Sequence, residues 1–120
     1  MLKRAIKWTL LVAIALLVVS VSIPSYQKAQ HRKIESLLKS NLFTLRMMID
    51  QYKFDHKRAP RALQELVSGR YLSAIPIDPI AGKAQWVVVM EDANAPQRGI
   101  RDVHSGSEML SLDGRPYSEW

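Results

Sequence analysis

The sequence predicts an α+β fold: one long N-terminal helix packed on a small antiparallel sheet, with a short second helix. Three observations predict it. The run Leu10–Ile23 is apolar except for Ser20 and Ser22. Apolar residues at helical spacing resume beyond Pro24 and continue to about Phe54. The strongest strand pattern, Ala84–Met90 (AQWVVVM), comes only after that helix, and helices followed by strands point to segregated α and β elements.

The first element begins with a basic flank, Met1–Lys7, carrying Lys3, Arg4 and Lys7. No charge then appears until Lys28, an interval of about 20 residues, which is the length a helix needs to cross a bilayer core. A helix that is apolar all round has no polar face for water. Three readings compete: an uncleaved anchor with its basic end in the cytoplasm, a cleaved secretory signal with Ser20 and Ser22 as its small residues, and a buried soluble helix. Lys28, Arg32, Lys33 and Lys39 make the charge signal two-sided. The anchor is favoured because a helical pattern resumes at once, whereas a signal is normally followed by chain of unrelated pattern. Residues 1–27 are therefore read as a membrane anchor helix and residues 28–120 as the head. Pro24 removes one backbone bond, so a kink is expected, with Ser20 or Ser22 bonding the freed carbonyls.

Beyond Pro24, Ile34, Leu37, Leu38, Leu42, Leu45, Met48, Ile49 and Tyr52 form one stripe, and Lys39, Arg46, Asp50 and Lys53 fall away from it. This is the core-facing side of an amphipathic half-helix. Asp55–Pro60 breaks it, and the proline pushes Ala59 toward extended geometry. Arg61–Val67 reads as a short helix stopped at Gly69. Ile75-Pro76-Ile77-Asp78-Pro79 holds two prolines, which favour a fixed loop. After the Ala84–Met90 strand, Glu91–Gly99 connects to a second strand at Ile100–Val103. The tail His104–Trp120 is loop-like, with Trp120 docking on the sheet or the long helix.

The net charge of +6 is uneven. Residues 28–58 carry eight Lys/Arg against three acidic residues, while residues 59–120 carry six against eight. The basic half suits lipid headgroups or an acidic partner. The absence of cysteine excludes disulfides, zinc thiolate sites and thiol nucleophiles. Asp102, His104 and Ser105 are triad residue types, but they are nearly adjacent and no oxyanion-hole motif accompanies them. No enzyme and no small-molecule substrate are expected. His31, His56 and His104 lack paired metal spacing, and Trp86 is expected in the core. The acidic tail is the one candidate site. Asp102, Glu108 and Asp113, with loop carbonyls, suit a hard cation such as calcium.

In this order the motifs resemble a known family. Ile23-Pro24-Ser25-Tyr26, Ile49–Asp55 with Ala59-Pro60, Gly69-Arg70-Tyr71-Leu72, Ile75–Gly82, Trp86–Val89, Asp102–Ser107, Asp113-Gly114 and Tyr117–Trp120 are similar to type IV pilin-like proteins. The G-type (major) pseudopilins of type II secretion systems are the nearest match. The resemblance covers nearly the whole chain. It implies a pilin-like fold and a structural subunit that polymerises through its N-terminal helix into a pseudopilus that drives protein export. It implies an inner-membrane, single-pass protein with a cytoplasmic N-terminus and a periplasmic head. Its partners would be the membrane, other pseudopilin subunits and the inner-membrane secretion platform. Calcium would sit at Asp113, with Glu108 in place of the usual Asp. One departure stands out: Leu2, Lys3 and Lys7 occupy the places where the family has Gly, an aromatic residue and Glu, so the prepilin peptidase motif is not matched. Arg46 or Lys53 against Asp78 or Glu91 are expected to set contacts between subunits. The alternatives are a competence-type pilin binding DNA through Lys28–Arg58, and a soluble exported protein with a cleaved signal.

Overall fold

The structure is a computed structural model describing residues 1–120. It has the α+β order expected. Helix α1 spans Leu2–His56, helix α2 Gln64–Ser68, strand β1 Trp86–Met90 and strand β2 Ile100–Ser105, and a 3-10 turn covers Tyr117–Glu119. The chain divides into two compact units, Met1–Lys33 and Ile34–Trp120. The break falls after the 27/28 boundary read from the sequence. Lys28, Arg32 and Lys33 are exposed, and the first buried side chain is Leu38.

The first unit is the apolar part of α1. It is long and apolar enough to cross a membrane, and none of its apolar window is covered by protein. Leu16 and Leu17 are each 66% exposed. Pro24 lies inside the helix. Its ring takes away the N–H that would bond the Ser20 carbonyl. The serines do not repair that carbonyl as expected. Ser20 Oγ donates to the Leu17 carbonyl at 2.8 Å and Ser22 Oγ to the Val18 carbonyl at 2.7 Å, three and two residues before the freed one. Ser25 Oγ donates to the neighbouring Val21 carbonyl at 3.3 Å.

In the second unit the amphipathic stripe is the spine of the core. Leu38, Leu42, Leu45, Ile49 and Tyr52 are buried, at spacings of three and four, and they meet Leu63, Leu66, Trp86, Ile100, Val103 and Tyr117. Helix α1 ends where Lys57 enters the left-handed region at φ 56°. The short helix starts later than Arg61, because the Arg61 N–H is taken by the Glu65 carboxylate at 2.8 Å, and regular turns begin only at Gln64. Strands β1 and β2 pair antiparallel from Trp86↔Ser105 to Met90↔Ile100, with a bulge after Val89. Strand β2 runs to Ser105, past the expected Val103. Its extra residues are held from outside, since Ser105 bonds the Asp78 carboxylate. Gly99 is required by close approach, because a Cβ there would meet the Ala59 Cβ and carbonyl oxygen at 2.7 Å. Trp120 packs against the core cluster and edge-on to Tyr117, as the sequence suggested.

Candidate functional site

Three polar centres tie the second unit together, and they redistribute the residues singled out from sequence. The deepest is Asp78. Pro76 and Pro79 fix its loop, and Asp78 is fully buried. Its Oδ1 accepts the N–H groups of Ile80 at 2.9 Å and Ala81 at 3.1 Å. Its Oδ2 accepts Ser105 Oγ at 2.5 Å and the Gly106 N–H at 3.3 Å. An Asp bonding the backbone two residues on is a turn-former. Here the same carboxylate also clamps the end of β2. The loop closes through the Gly82 N–H donating to the Asp78 carbonyl at 2.7 Å, and Gly82 sits at φ +72°, where a side chain would be strained. Trp86 Nε1 donates to the Pro76 carbonyl at 2.9 Å, and Asn41 Nδ2 to the Ile77 carbonyl at 3.0 Å. The expectation that Asp78 meets a cation on another subunit is corrected: a fully buried, saturated carboxylate has no surface to offer.

The second centre is Arg46. Its Nε donates to Asp102 Oδ1 at 2.7 Å, and a terminal nitrogen donates to the Val103 carbonyl at 2.8 Å. Burial pushes the Asp102 carboxyl up, but the Arg46 and Val103 hydrogen bonds and the nearby cations outweigh it and hold the group below its ordinary value. His104 Nε2 lies 3.6 Å from Asp102 Oδ2, and its Nδ1 lies 2.5 Å from the Trp120 carbonyl oxygen. Ser105 faces Asp78 and not His104, so the three triad residue types are not assembled as a triad. Lys53 meets Glu91 at 3.4 Å within the same chain. Arg46, Lys53 and Glu91, expected to face other subunits, therefore have partners at home.

The third centre was not singled out from sequence. Glu35 Oε1 accepts the Leu112 N–H at 2.7 Å and the Tyr117 hydroxyl at 2.8 Å. Desolvation, helped by the Glu35 carboxylate, raises the Tyr117 phenol to about 12. The only sequence signal was a lone acidic residue beside an apolar stripe in a basic stretch.

The acidic tail is arranged differently from a cation cradle. No three acidic or histidine side chains come together as a group that could hold a metal ion. Glu108 accepts from Ser118 Oγ at 3.2 Å. Asp113 accepts from the Ser111 hydroxyl, from the Arg115 N–H at 3.1 Å and from Arg115 Nε at 3.2 Å. The Ser111 hydrogen bond, foremost, and the Arg115 contacts hold its carboxyl below the ordinary value. Asp102 is occupied by Arg46. A calcium ion at Asp113 would compete with the exposed Arg115 guanidinium, and Glu108 and Asp113 bond different partners as they are placed.

Comparison with protein-family models, with curated proteins and with solved structures gives no match.

Proposed function

We propose that this chain is a membrane-anchored structural subunit of a pilin-like assembly, in the manner of a major pseudopilin of a type II secretion pseudopilus. One observation carries the reading. A single helix, Leu2–His56, is apolar and uncovered over its first part and becomes the buried spine of a small α+β unit over its last part. An uncovered apolar surface of this length needs lipid or other apolar helices around it. In the proposed role it has both in turn, lipid before assembly and copies of itself within the filament. In this reading the head is a coat. The carboxylates of Glu35, Asp78 and Asp102 are each paired within the unit, which suits a structural role.

The chain has no cysteine, so a single introduced thiol is an unambiguous probe. Leu16→Cys, in the exposed apolar run, is expected to give a disulfide-linked dimer when whole membranes are oxidised, and Ile14→Cys with Leu16→Cys, two thiols on opposite faces of the helix, a ladder of higher species. Monomer alone, with the protein present in the membrane fraction, would overturn the proposal. Lys7 sharpens the test. Lys7→Glu is expected to increase the ladder if copies must bring their N-termini together in an apolar environment, because a carboxylate there could pair with a neighbouring copy's N-terminal amine, whereas Lys7 adds a second cation.

A further inference from the structure

The sheet has two strands, so β1 pairs on one side with β2 and its other edge is open. Trp86–Val89 form no backbone hydrogen bond outside that ladder, and no side chain bonds their backbone. The segment reads WVVVM, free of charge, glycine and proline, and Val87 and Val88 are 52% and 38% exposed. Such an edge is a template for another strand unless something blunts it. Within β1 the one blunting feature is the bulge after Val89, at the strand's end; Trp86–Val89 carry no lysine, proline or inward charge.

The surroundings are shaped to receive a strand. β1 borders a groove of about 690 Å³ whose apolar lining includes Leu63, Ile75, Trp86 and Val88. Two cations, Arg61 and Lys83, also line it. Both are exposed, and neither side chain has a salt bridge or hydrogen bond of its own. The Arg61 backbone N–H is used by Glu65, but its guanidinium is not. The groove thus offers unpaired backbone groups, an apolar lining and two unneutralised positive charges.

We propose that this edge and groove bind an extended acidic segment of another polypeptide as a third strand of the sheet. Main-chain bonds to β1 would give the affinity, apolar side chains on alternate positions would fill the groove, and carboxylates would pair with Arg61 and Lys83. β1 spans on the order of 17 Å, enough to align about five residues of the incoming segment. The inference is independent of filament assembly, since it uses only the second unit.

The test uses the full-length protein in detergent micelles and a labelled peptide of about nine residues alternating Glu and Val. Binding is read by fluorescence anisotropy against empty micelles, and strand formation by isotope-edited infrared of labelled valine carbonyls. Saturable binding with a strand-like carbonyl band is expected. The same peptide with Lys for Glu is expected to bind at least about tenfold more weakly, and a double variant, Arg61→Glu with Lys83→Glu, to reverse that preference. N-methylation of alternate peptide amides is expected to abolish binding. Equal binding of the N-methylated peptide would overturn the proposal, as would indifference to both charge reversals. So would a β1-to-β1 dimer of the protein that excess peptide fails to dissociate, or signal from empty micelles alone. The exposed positions of Arg61 and Lys83 keep the double variant folded, which near-ultraviolet circular dichroism checks.

Discussion

Asp78→Ala removes a fully buried carboxylate that accepts from Ile80, Ala81, Ser105 and Gly106. A hydrogen bond to a charged group contributes about 1.5–3 kcal/mol, and a buried donor left unpaired costs about 1–3 kcal/mol. The contacts are not additive, and the 3.3 Å bond to Gly106 is weak. The expected loss is therefore about 3–5 kcal/mol. A unit of this size has a total stability of roughly 4–13 kcal/mol, so the variant loses about a quarter of it or more. Asp78→Asn keeps an oxygen for the two turn N–H groups but points an amide at the Gly106 N–H, and is expected to lose about 1–2 kcal/mol. Urea unfolding of the full chain in micelles, followed by tryptophan emission, measures both. With Trp8 and Trp120 replaced by Phe the signal is local to Trp86, whose indole N–H bonds the Pro76 carbonyl of the same loop. A loss below about 1 kcal/mol for Asp78→Ala would refute the assignment of this carboxylate as the clamp between the loop and β2.

Arg46→Ala is expected to cost only about 0.5–1 kcal/mol, because both partners in its ion pair are more than a third exposed. The Asp102 carboxyl is held below its ordinary 3.8, so the pair stabilises above that pH and the benefit is lost as pH falls through the folded value. Urea midpoints compared at neutral pH and below pH 4 should therefore converge for Arg46→Ala and the parent chain. Glu35→Ala leaves the Leu112 N–H and the Tyr117 hydroxyl without their acceptor and is expected to cost about 1–2 kcal/mol. It should also bring the Tyr117 phenol down from about 12 toward 10, followed by near-ultraviolet absorbance during alkaline titration. Millimolar calcium is expected to leave the melting temperature within about 1 °C of the value in chelator. A rise of several degrees would mean that Arg115 yields Asp113 to the ion.

The elements with strong local signals were legible before the structure. Of the stripe from Ile34 to Tyr52, Leu38, Leu42, Leu45, Ile49 and Tyr52 are buried and Ile34 and Met48 half-buried, whereas Leu37 is exposed, and the β-branched run at Val87–Val89 lies in a strand. What escaped depends on partners far along the chain. Asp78, flanked by Pro76 and Pro79, looks like a surface loop residue from its neighbours. It is buried because Ser105 and Gly106, 27 and 28 residues later, supply its donors. Glu35 is hidden for the same reason. Asp113 and Glu108 looked like ligands because acidic residues cluster in sequence, but Arg115 and Ser118 lie close enough to pair with them first. The start of α2 lies later than the periodicity implies because Glu65 reaches back four residues to cap the Arg61 N–H, a local contact with no periodic signature.

The contacts of Glu35 bridge 77 and 82 residues, from near the first residues of the second unit to nearly its last. Neither can form until Leu112 and Tyr117 have been made. At a synthesis rate of 5–20 residues per second, Tyr117 follows Glu35 by about 4–16 s. The apolar run before Glu35 is older still. For that interval the chain is an uncovered apolar helix with no closed head behind it. Leu10–Ile23 is therefore open to lipid or to a chaperone before the unit that Glu35 helps to close has formed.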